Sequence, residues 1–148
     1  MGRPRAIFDA SLYVNLLLSR NPDTSAVGFL FKAAAQRSFD LLLPEDVGGE
    51  LVDVVARRTH LATRINQATL DALFRQLLQF ATLLPFLGAE PPRVSRDAND
   101  DYLIALAVLN AADYVVTRDK DLLDLGKVAG VRIVDPVAFL ALLRSTQD

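Results

Sequence analysis

The stretch Arg96–Leu123 reads RDANDDYLIALAVLNAADYVVTRDKDLL and combines two acidic clusters with an apolar run between them. Seven aspartates fall between positions 97 and 124, and the second cluster directly follows the strand-like residues Tyr114–Thr117. Carboxylates at the start of a helix and after the next strand can converge in space. Because clustered carboxylates repel one another, a cation must compensate them, and Mg²⁺ or Mn²⁺ prefers oxygen ligands. The stretch therefore predicts a site for a hard divalent metal ion.

Composition narrows the chemistry that such a site can use. The chain has 148 residues, of which 51% are hydrophobic, and this suits one domain with a substantial core. The absence of cysteine excludes disulfides, zinc–thiolate sites and iron–sulfur clusters. The lone histidine, His60, excludes a site built from several histidines of one chain. Any metal must be held by oxygen.

The formal charge of −2 means that the field of the whole molecule will not attract nucleic acid. The apolar N-terminal run is interrupted by Asp9 and Asn15, so we interpret it as a strand and helix rather than as a signal peptide. No segment approaches the roughly 18 uncharged apolar residues of a membrane span. We expect a single domain over residues 1–148, located in the cytoplasm.

Strand-like and helix-like segments alternate along the chain, which predicts an α/β fold with a mainly parallel central sheet. Turn-forming residues and proline separate the segments. Strands are predicted at 5–8, 39–43, 82–86, 114–117 and 131–134, and helices at 11–18, 27–35, from Pro44 onward, 66–79, 100–110, 120–125 and 137–144.

Four acidic residues share one position in this predicted arrangement. Asp9 ends the first strand, Glu50 lies in the helix after the second, Asp101 begins a helix, and Asp119 follows a later strand. In a parallel sheet the carboxyl ends of the strands line one edge, and the helices that follow them begin at that edge. The four carboxylates can therefore meet there.

These motifs, in this order, resemble the PIN-domain family and, within it, the VapC-like toxins. The family pattern opens with a strand and Asp-x-Asn/Ser, matched by Asp9-Ala10-Ser11, and continues with a glutamate in a helix, matched by Glu50 in GGELVDVVARR. An aspartate heading an apolar helix follows, matched by Asp101. Thr-x-Asp/Asn after a strand closes the pattern, matched by Thr117-Arg118-Asp119. The resemblance runs from Ile7 to Phe139.

The resemblance implies a three-layer α/β/α sandwich that acts as a Mg²⁺- or Mn²⁺-dependent endoribonuclease, the toxin of a toxin–antitoxin pair. It also implies a homodimer and a separate antitoxin protein as partner. Asp9, Glu50, Asp101 and Asp119 would form the catalytic pocket, and Asp9, Asp101 and Asp119 would bind the metal. The supporting residues would be Ser11, Thr117, Asp97, Asp100 and Asp121.

Contacts to an RNA backbone require local basic residues, because the protein as a whole is acidic. Arg118 and Lys120 flank Asp119, and Arg57 and Arg58 open a basic-leaning region that continues with His60, Arg64 and Arg75. We interpret Arg118, Lys120, Arg57 and Arg58 as candidate nucleic-acid contacts.

Three other functions fit parts of the pattern. A phosphatase or phosphotransferase with Asp9 as nucleophile would need Asp-x-Asp, and Ser11 stands at the second acidic position. A receiver-like regulatory domain would need a phospho-acceptor aspartate after the third strand and a lysine near the end of the fifth, which this order does not supply. A further alternative is a degenerate PIN domain that binds RNA or a partner without cutting. The presence of all four acids argues against it.

Overall fold

Six strands form one sheet in the part of the chain that the computed structural model describes. The structure describes residues 2–19, 24–88, 91 and 98–147, with only the backbone described at 98, 99, 146 and 147. The strands are β1 (Arg5–Phe8), β2 (Asp40–Pro44), β3 (Thr82–Leu84), β4 (Tyr114–Val116), β5 (Lys127–Val128) and β6 (Val131–Val134).

The helices alternate with these strands, and several begin at a side chain that caps them. Asp9, Ser25 and Asn66 each accept a hydrogen bond from a backbone N–H in the first turn of the helix that follows. The helices in the described residues are α1 (Ala10–Leu18), α2 (Ala26–Ala35), α3 (Glu45–Arg57), α4 (Thr59–Ala62), α5 (Gln67–Leu77), α6 (Ala98–Leu109), α7 (Lys120–Leu123) and α8 (Pro136–Gln147).

The strand order is β3-β2-β1-β4-β6-β5, and every pairing except that of β5 with β6 is parallel. The chain moves from β1 to β2 on one side and later returns to place β4 on the other side of β1. The gap between β1 and β4 is therefore the point where the direction of winding reverses. In open α/β sheets, ligands bind at the carboxyl ends of the strands at this point.

The core explains why the central strands are almost continuously apolar. Strand β1 is buried on both faces, with Ala6, Ile7 and Phe8 fully shielded from solvent. The Phe8 ring packs 5.7 Å from Phe39, and Phe39 packs edge-on at 5.0 Å from Phe139 in α8. These contacts place the first and last elements of the chain in one core.

The predicted α/β class and mainly parallel sheet are confirmed, and all five predicted strands are present. The structure adds two short elements that the pattern did not predict, helix α4 and strand β5. The β5–β6 hairpin turns through Ala129 (φ 50°) and Gly130 (φ 87°). Hairpin turns of this kind usually have Asn, Asp or Gly at the positions with positive φ. Alanine rarely adopts a positive φ, so only Gly130 indicated a turn here. No helix of the described residues is long and apolar enough to cross a membrane.

The Tyr13 side chain in α1 is a polar group within this core. It is 1% exposed, and its hydroxyl has no hydrogen-bond partner among the described residues. Burial raises the pKa of the Tyr13 phenol well above its ordinary value. The folded protein therefore keeps a proton that the unfolded chain loses above about pH 10.

We predict that Tyr13→Phe leaves stability at pH 8 unchanged or raises it by up to about 1 kcal/mol, because no hydrogen bond is lost. In the wild type, the stability that depends on protonated Tyr13 is fully present below about pH 10. Above that pH the free energy of unfolding falls by up to about 1.4 kcal/mol per pH unit, because the unfolded chain loses the proton and folded Tyr13 keeps it. Urea unfolding at pH 8 and pH 11 should show the variant's advantage growing with pH. The exposed Tyr102, changed to Phe, is the control, and an advantage that does not grow with pH would contradict the argument.

Candidate active site

Asp9 lies directly after the central strand β1, at the carboxyl edge of the sheet. Its backbone N–H donates to the Val116 carbonyl at 3.0 Å, which continues the pairing of β1 with β4 by one residue. Its side-chain Oδ1 accepts from the Ser11 N–H at 3.3 Å and caps α1. The carboxylate is thus held at the point where the sheet reverses its winding, and near the positive end of a helix dipole.

Thr117 joins Asp9 to Asp119. Its fully buried hydroxyl donates to Asp9 Oδ2 at 2.7 Å and accepts from the Asp119 N–H at 3.0 Å. Its own N–H donates to the Val134 carbonyl at 3.0 Å, so β6 holds Thr117 in place. One hydroxyl therefore positions two acidic residues that are separated by more than a hundred residues in the sequence.

Asp119 has the same local geometry as Asp9, because it caps the helix that follows its strand. Its Oδ1 accepts from the Asp121 N–H at 2.9 Å. No described residue donates a hydrogen bond to its second oxygen, and the residue is only partly buried. That oxygen remains available to a ligand at the carboxyl edge.

Among the described members of the predicted set, Asp101 is the most deeply buried carboxylate, with 1% of its surface exposed. It lies in the first turn of α6 with Asp100, and α6 packs against β1, β4 and β6. The far end of α6 reaches the amino edge of the sheet, where Arg5 Nη2 donates to the Asn110 carbonyl at 3.0 Å. The first turn of α6 therefore lies at the carboxyl-edge end, where the helix dipole favours an acid.

Glu50 projects from an exposed position of α3, whose opposite side buries Leu51 and Val55. The helix begins at Glu45, next to the carboxyl end of β2, and packs against α1. With a rise of about 1.5 Å per residue, Glu50 lies about 7.5 Å along the helix from that edge. Ser11 contributes its backbone N–H to Asp9, while the residue itself is exposed.

The other described aspartates between positions 97 and 124 lie at the opposite edge of the sheet or are exposed on the surface. Asp113 is at the opposite, amino edge of the sheet, where its Oδ2 accepts from the Arg5 N–H at 2.9 Å. Asp121 and Asp124 are exposed in and after α7, where Asp121 gives its N–H to Asp119. Asp97 lies outside the described residues. Only some of the acids in the two clusters therefore lie at the carboxyl edge of the sheet.

The described side chains include no group of three acidic or histidine residues placed to hold a metal ion. Mg²⁺ commonly keeps several waters and binds through one or two carboxylates together with substrate phosphates. Asp9 and Asp119, joined through Thr117, fit that requirement, and their donors are all oxygen. The geometry suits a metal ion whose coordination is completed by substrate and water, rather than one that is surrounded by protein ligands.

The sequence predicted two features of this edge only in part. Thr117 was predicted only as a supporting residue, because its bridge depends on β1 and β4 being neighbours. Asp135 follows β6 at the same edge and caps α8, its Oδ1 accepting from the Ala138 N–H at 2.7 Å. The Asp-Pro pair after an apolar strand was the available signal for Asp135.

A groove of about 680 Å³ lies between α1, α2 and α5, away from these acids. Leu17 of α1, Phe31 of α2 and Leu73 of α5 are among its lining residues, and Lys32 is the one charged residue among the lining residues that the structure describes. The groove is mainly apolar, as a surface that receives another protein would be.

We predict that Thr117→Val lowers the free energy of unfolding by about 1–3 kcal/mol, because two partly buried hydrogen-bonding groups, one of them a carboxylate, lose their shared partner. Thr117→Ser keeps the hydroxyl and should lose less. Urea unfolding at neutral pH measures both. Thr82→Val, at an exposed position of β3, is the matched control and should stay within about 0.5 kcal/mol of the wild type. A Thr117→Val variant as stable as this control would contradict the bridge.

Comparison with a known structure agrees with this fold. A chain of the crystal structure of VapBC2 from Rickettsia felis, bound to a DNA fragment from their promoter, superposes with a TM-score of 0.61 at 14% sequence identity. The match covers 88% of the present chain and 98% of that chain. At this identity the likeness concerns the fold alone. No curated protein sequence matches the chain significantly.

The sequence itself matches the family model of the PIN domain over residues 5–121. The matched region begins with β1 and ends in α7, so it contains Asp9, Glu50, Asp101, Thr117 and Asp119. This match covers well over half of the chain. The chain therefore belongs to the PIN-domain family.

Proposed function

We propose that this protein is a Mg²⁺- or Mn²⁺-dependent endoribonuclease, the toxin component of a toxin–antitoxin pair. The observation that carries the proposal is the Thr117 bridge, which holds Asp9 and Asp119 together where the sheet reverses its winding. PIN domains are generally nucleases that use divalent metal ions, and the chain belongs to that family. The proposal extends this family property to RNA and to these residues.

Asp9 and Asp119 would hold the metal ion, with Asp101 as the third acidic residue. A bound divalent ion would activate water and stabilise the charge that develops on the phosphoryl oxygens. The Thr117 hydroxyl orients the Asp9 carboxylate and the Asp119 backbone N–H, and the N–H groups of Ser11 and Asp121 each hold one oxygen of the two carboxylates. Glu50, exposed on α3, would act on the substrate side of the pocket.

The basic candidates fall into two groups relative to this pocket. Arg118 and Lys120 are exposed on either side of Asp119, so they can contact phosphates next to the cleaved bond. Arg57 and Arg58 lie at the end of α3, and Arg57 is about 10 Å further along the helix than Glu50. They would contact the RNA backbone farther from the cleaved bond. The supporting residue Asp100 would add negative charge near the metal, and the supporting residue Asp121 would hold the Asp119 carboxylate through its backbone N–H.

Protein partners belong to the same proposal. The similar crystal structure is that of VapBC2 bound to a DNA fragment from their promoter, and by analogy we propose an antitoxin partner for this chain. The apolar groove between α1, α2 and α5 offers a surface for a partner protein. We also propose a homodimer and a cytoplasmic location for the single domain of residues 1–148.

One observation favours a second candidate function. Because no three acids of the described part are placed to hold a metal, the domain could bind RNA or a partner without cutting. Such a module would retain affinity for RNA when the acids are changed. Cleavage of RNA by the purified protein separates the two functions.

We predict that the purified protein cuts a mixed RNA pool in Mn²⁺ or Mg²⁺ and not in EDTA. Asp9→Asn should lower the cleavage rate by at least about a hundredfold, because it removes a metal-binding charge while it keeps the size of the side chain. Gel analysis of a labelled RNA pool measures this. Asp124→Asn, which removes an exposed carboxylate after α7, is the matched control and should cut like the wild type. Equal cutting by Asp9→Asn would rule out the proposed site, and RNA binding without cutting by any form would support the binding module.

A further inference from the structure

The chain leaves β3 at the carboxyl edge of the sheet through residues 84–87, which read LPFL. Leu84, the last residue of the strand, is buried. Leu87 packs against the core, and its N–H donates to Asp46 Oδ1 of α3 at 3.1 Å. The fold therefore holds the chain on both sides of Phe86.

The Phe86 ring is directed into solvent from this anchored segment. It is 63% exposed, the largest fraction among the described aromatic side chains, and Tyr102 follows at 36%. Pro85 fixes a backbone angle directly before it. A ring held outside the core forgoes the stabilisation of burial, but it loses little conformational freedom when a ligand binds to it. The segment thus presents an apolar ring in a defined place.

This place is close to the proposed cleavage site. Asp9 follows β1 and Phe86 follows β3 at the same edge, and only β2 lies between these two strands. Two strand spacings amount to about 10 Å. An RNA strand with a phosphate at Asp9 can therefore bring a base of a nearby nucleotide onto the Phe86 ring.

The surroundings of the ring suit a base better than a phosphate. Glu45 and Asp46 in the first turn of α3 repel a phosphate, whereas carboxylates accept hydrogen bonds from the amino groups of bases. Gly49 is three residues beyond Asp46, on the same face of the helix. None of the described atoms lies within 4 Å of the place where a Cβ at Gly49 would be, so packing does not require glycine there. The helix face next to the Phe86 segment is open.

We propose that Phe86 stacks on a base of the RNA substrate, one or a few nucleotides away from the cleaved bond. The inference rests on the proposed ribonuclease function for the identity of its ligand. Every base has a face that stacks on an aromatic ring, so this contact does not read a particular base. It does require a base that is free of its neighbours, and it therefore selects RNA whose bases are splayed out over RNA in a duplex.

The first test measures binding of a fluorescein-labelled single-stranded RNA pool by anisotropy, in EDTA so that nothing is cut. Phe86→Ala should weaken binding by about 5- to 150-fold, the effect of losing one stacked base. The factor should be the same at low and high salt, because no charge changes. Phe86→Leu, which keeps apolar volume without a ring, should lose nearly as much, and Phe86→Tyr should bind like the wild type.

Leu109→Ala is the matched control, because Leu109 is 70% exposed on α6 at the opposite, amino edge of the sheet. This variant should bind RNA like the wild type. Abasic RNA, which has the phosphates and sugars but no bases, should bind equally to the wild type and to Phe86→Ala.

A second measurement detects stacking directly. The chain has no tryptophan, so Phe86→Trp introduces a single fluorophore at the proposed contact. Single-stranded polyadenylate should quench its emission, because a stacked base quenches tryptophan, and abasic RNA should not. Leu109→Trp is the control and should keep its emission with both RNAs.

Two results would overturn the proposal. One is RNA affinity of Phe86→Ala and Phe86→Leu equal to that of Leu109→Ala, with unquenched emission from Phe86→Trp. The other is unchanged RNA affinity together with a loss of self-association of Phe86→Ala in sedimentation, which would make the ring a contact between protein chains.

The stacking contact and the ribonuclease function fail in different ways. If the protein never cuts RNA but Phe86→Ala still loses affinity for it, the stacking contact stands and the cleavage proposal fails. If metal-dependent cutting occurs and Phe86→Ala binds and cuts like Leu109→Ala, the stacking contact fails alone.

Discussion

The parallel pairing of β1 with β4 is the constraint on which the rest of this structure depends. It places residue 9 and residue 117 side by side at the carboxyl edge, although they are distant in the sequence. The Thr117 hydroxyl then turns this backbone adjacency into a chemical link between Asp9 and Asp119. A buried hydroxyl that both donates and accepts has little rotational freedom, so both acids keep their positions before any ligand arrives.

Charge is distributed unequally over the two edges of the sheet. The helices that follow the strands begin at the carboxyl edge, and their dipoles favour the acids found there, including the buried Asp101. Helices α2 and α8 end at the amino edge, where Lys32 and Arg144 complement their negative ends. The helix dipoles therefore favour acids at one edge of the sheet and basic residues at the other.

The sequence predicted much of this arrangement because its signals are local. Apolar runs marked β1 and β6 with their observed bounds, and Asp9 and Asp119, which follow their strands, marked the carboxyl edge. What was not predicted depends on contacts between distant segments. The Thr117 bridge requires knowledge of which strands are neighbours, and the position of Asp113 depends on its hydrogen bond to Arg5 across the opposite edge. The β5–β6 turn went unrecognised because Ala129 holds a positive φ that its side chain does not favour.

The most direct test of the account is Mn²⁺ binding to the purified protein, followed by electron paramagnetic resonance, for the wild type, Asp9→Asn and Thr117→Val. The account predicts that the wild type binds Mn²⁺, that Asp9→Asn loses this binding, and that Thr117→Val weakens it although both carboxylates remain. Thr117→Val distinguishes a positioned pair of acids from simple negative charge, since it changes no charge. Equal Mn²⁺ affinity in all three proteins would contradict the claim that Asp9 and Asp119, joined by Thr117, form the metal site.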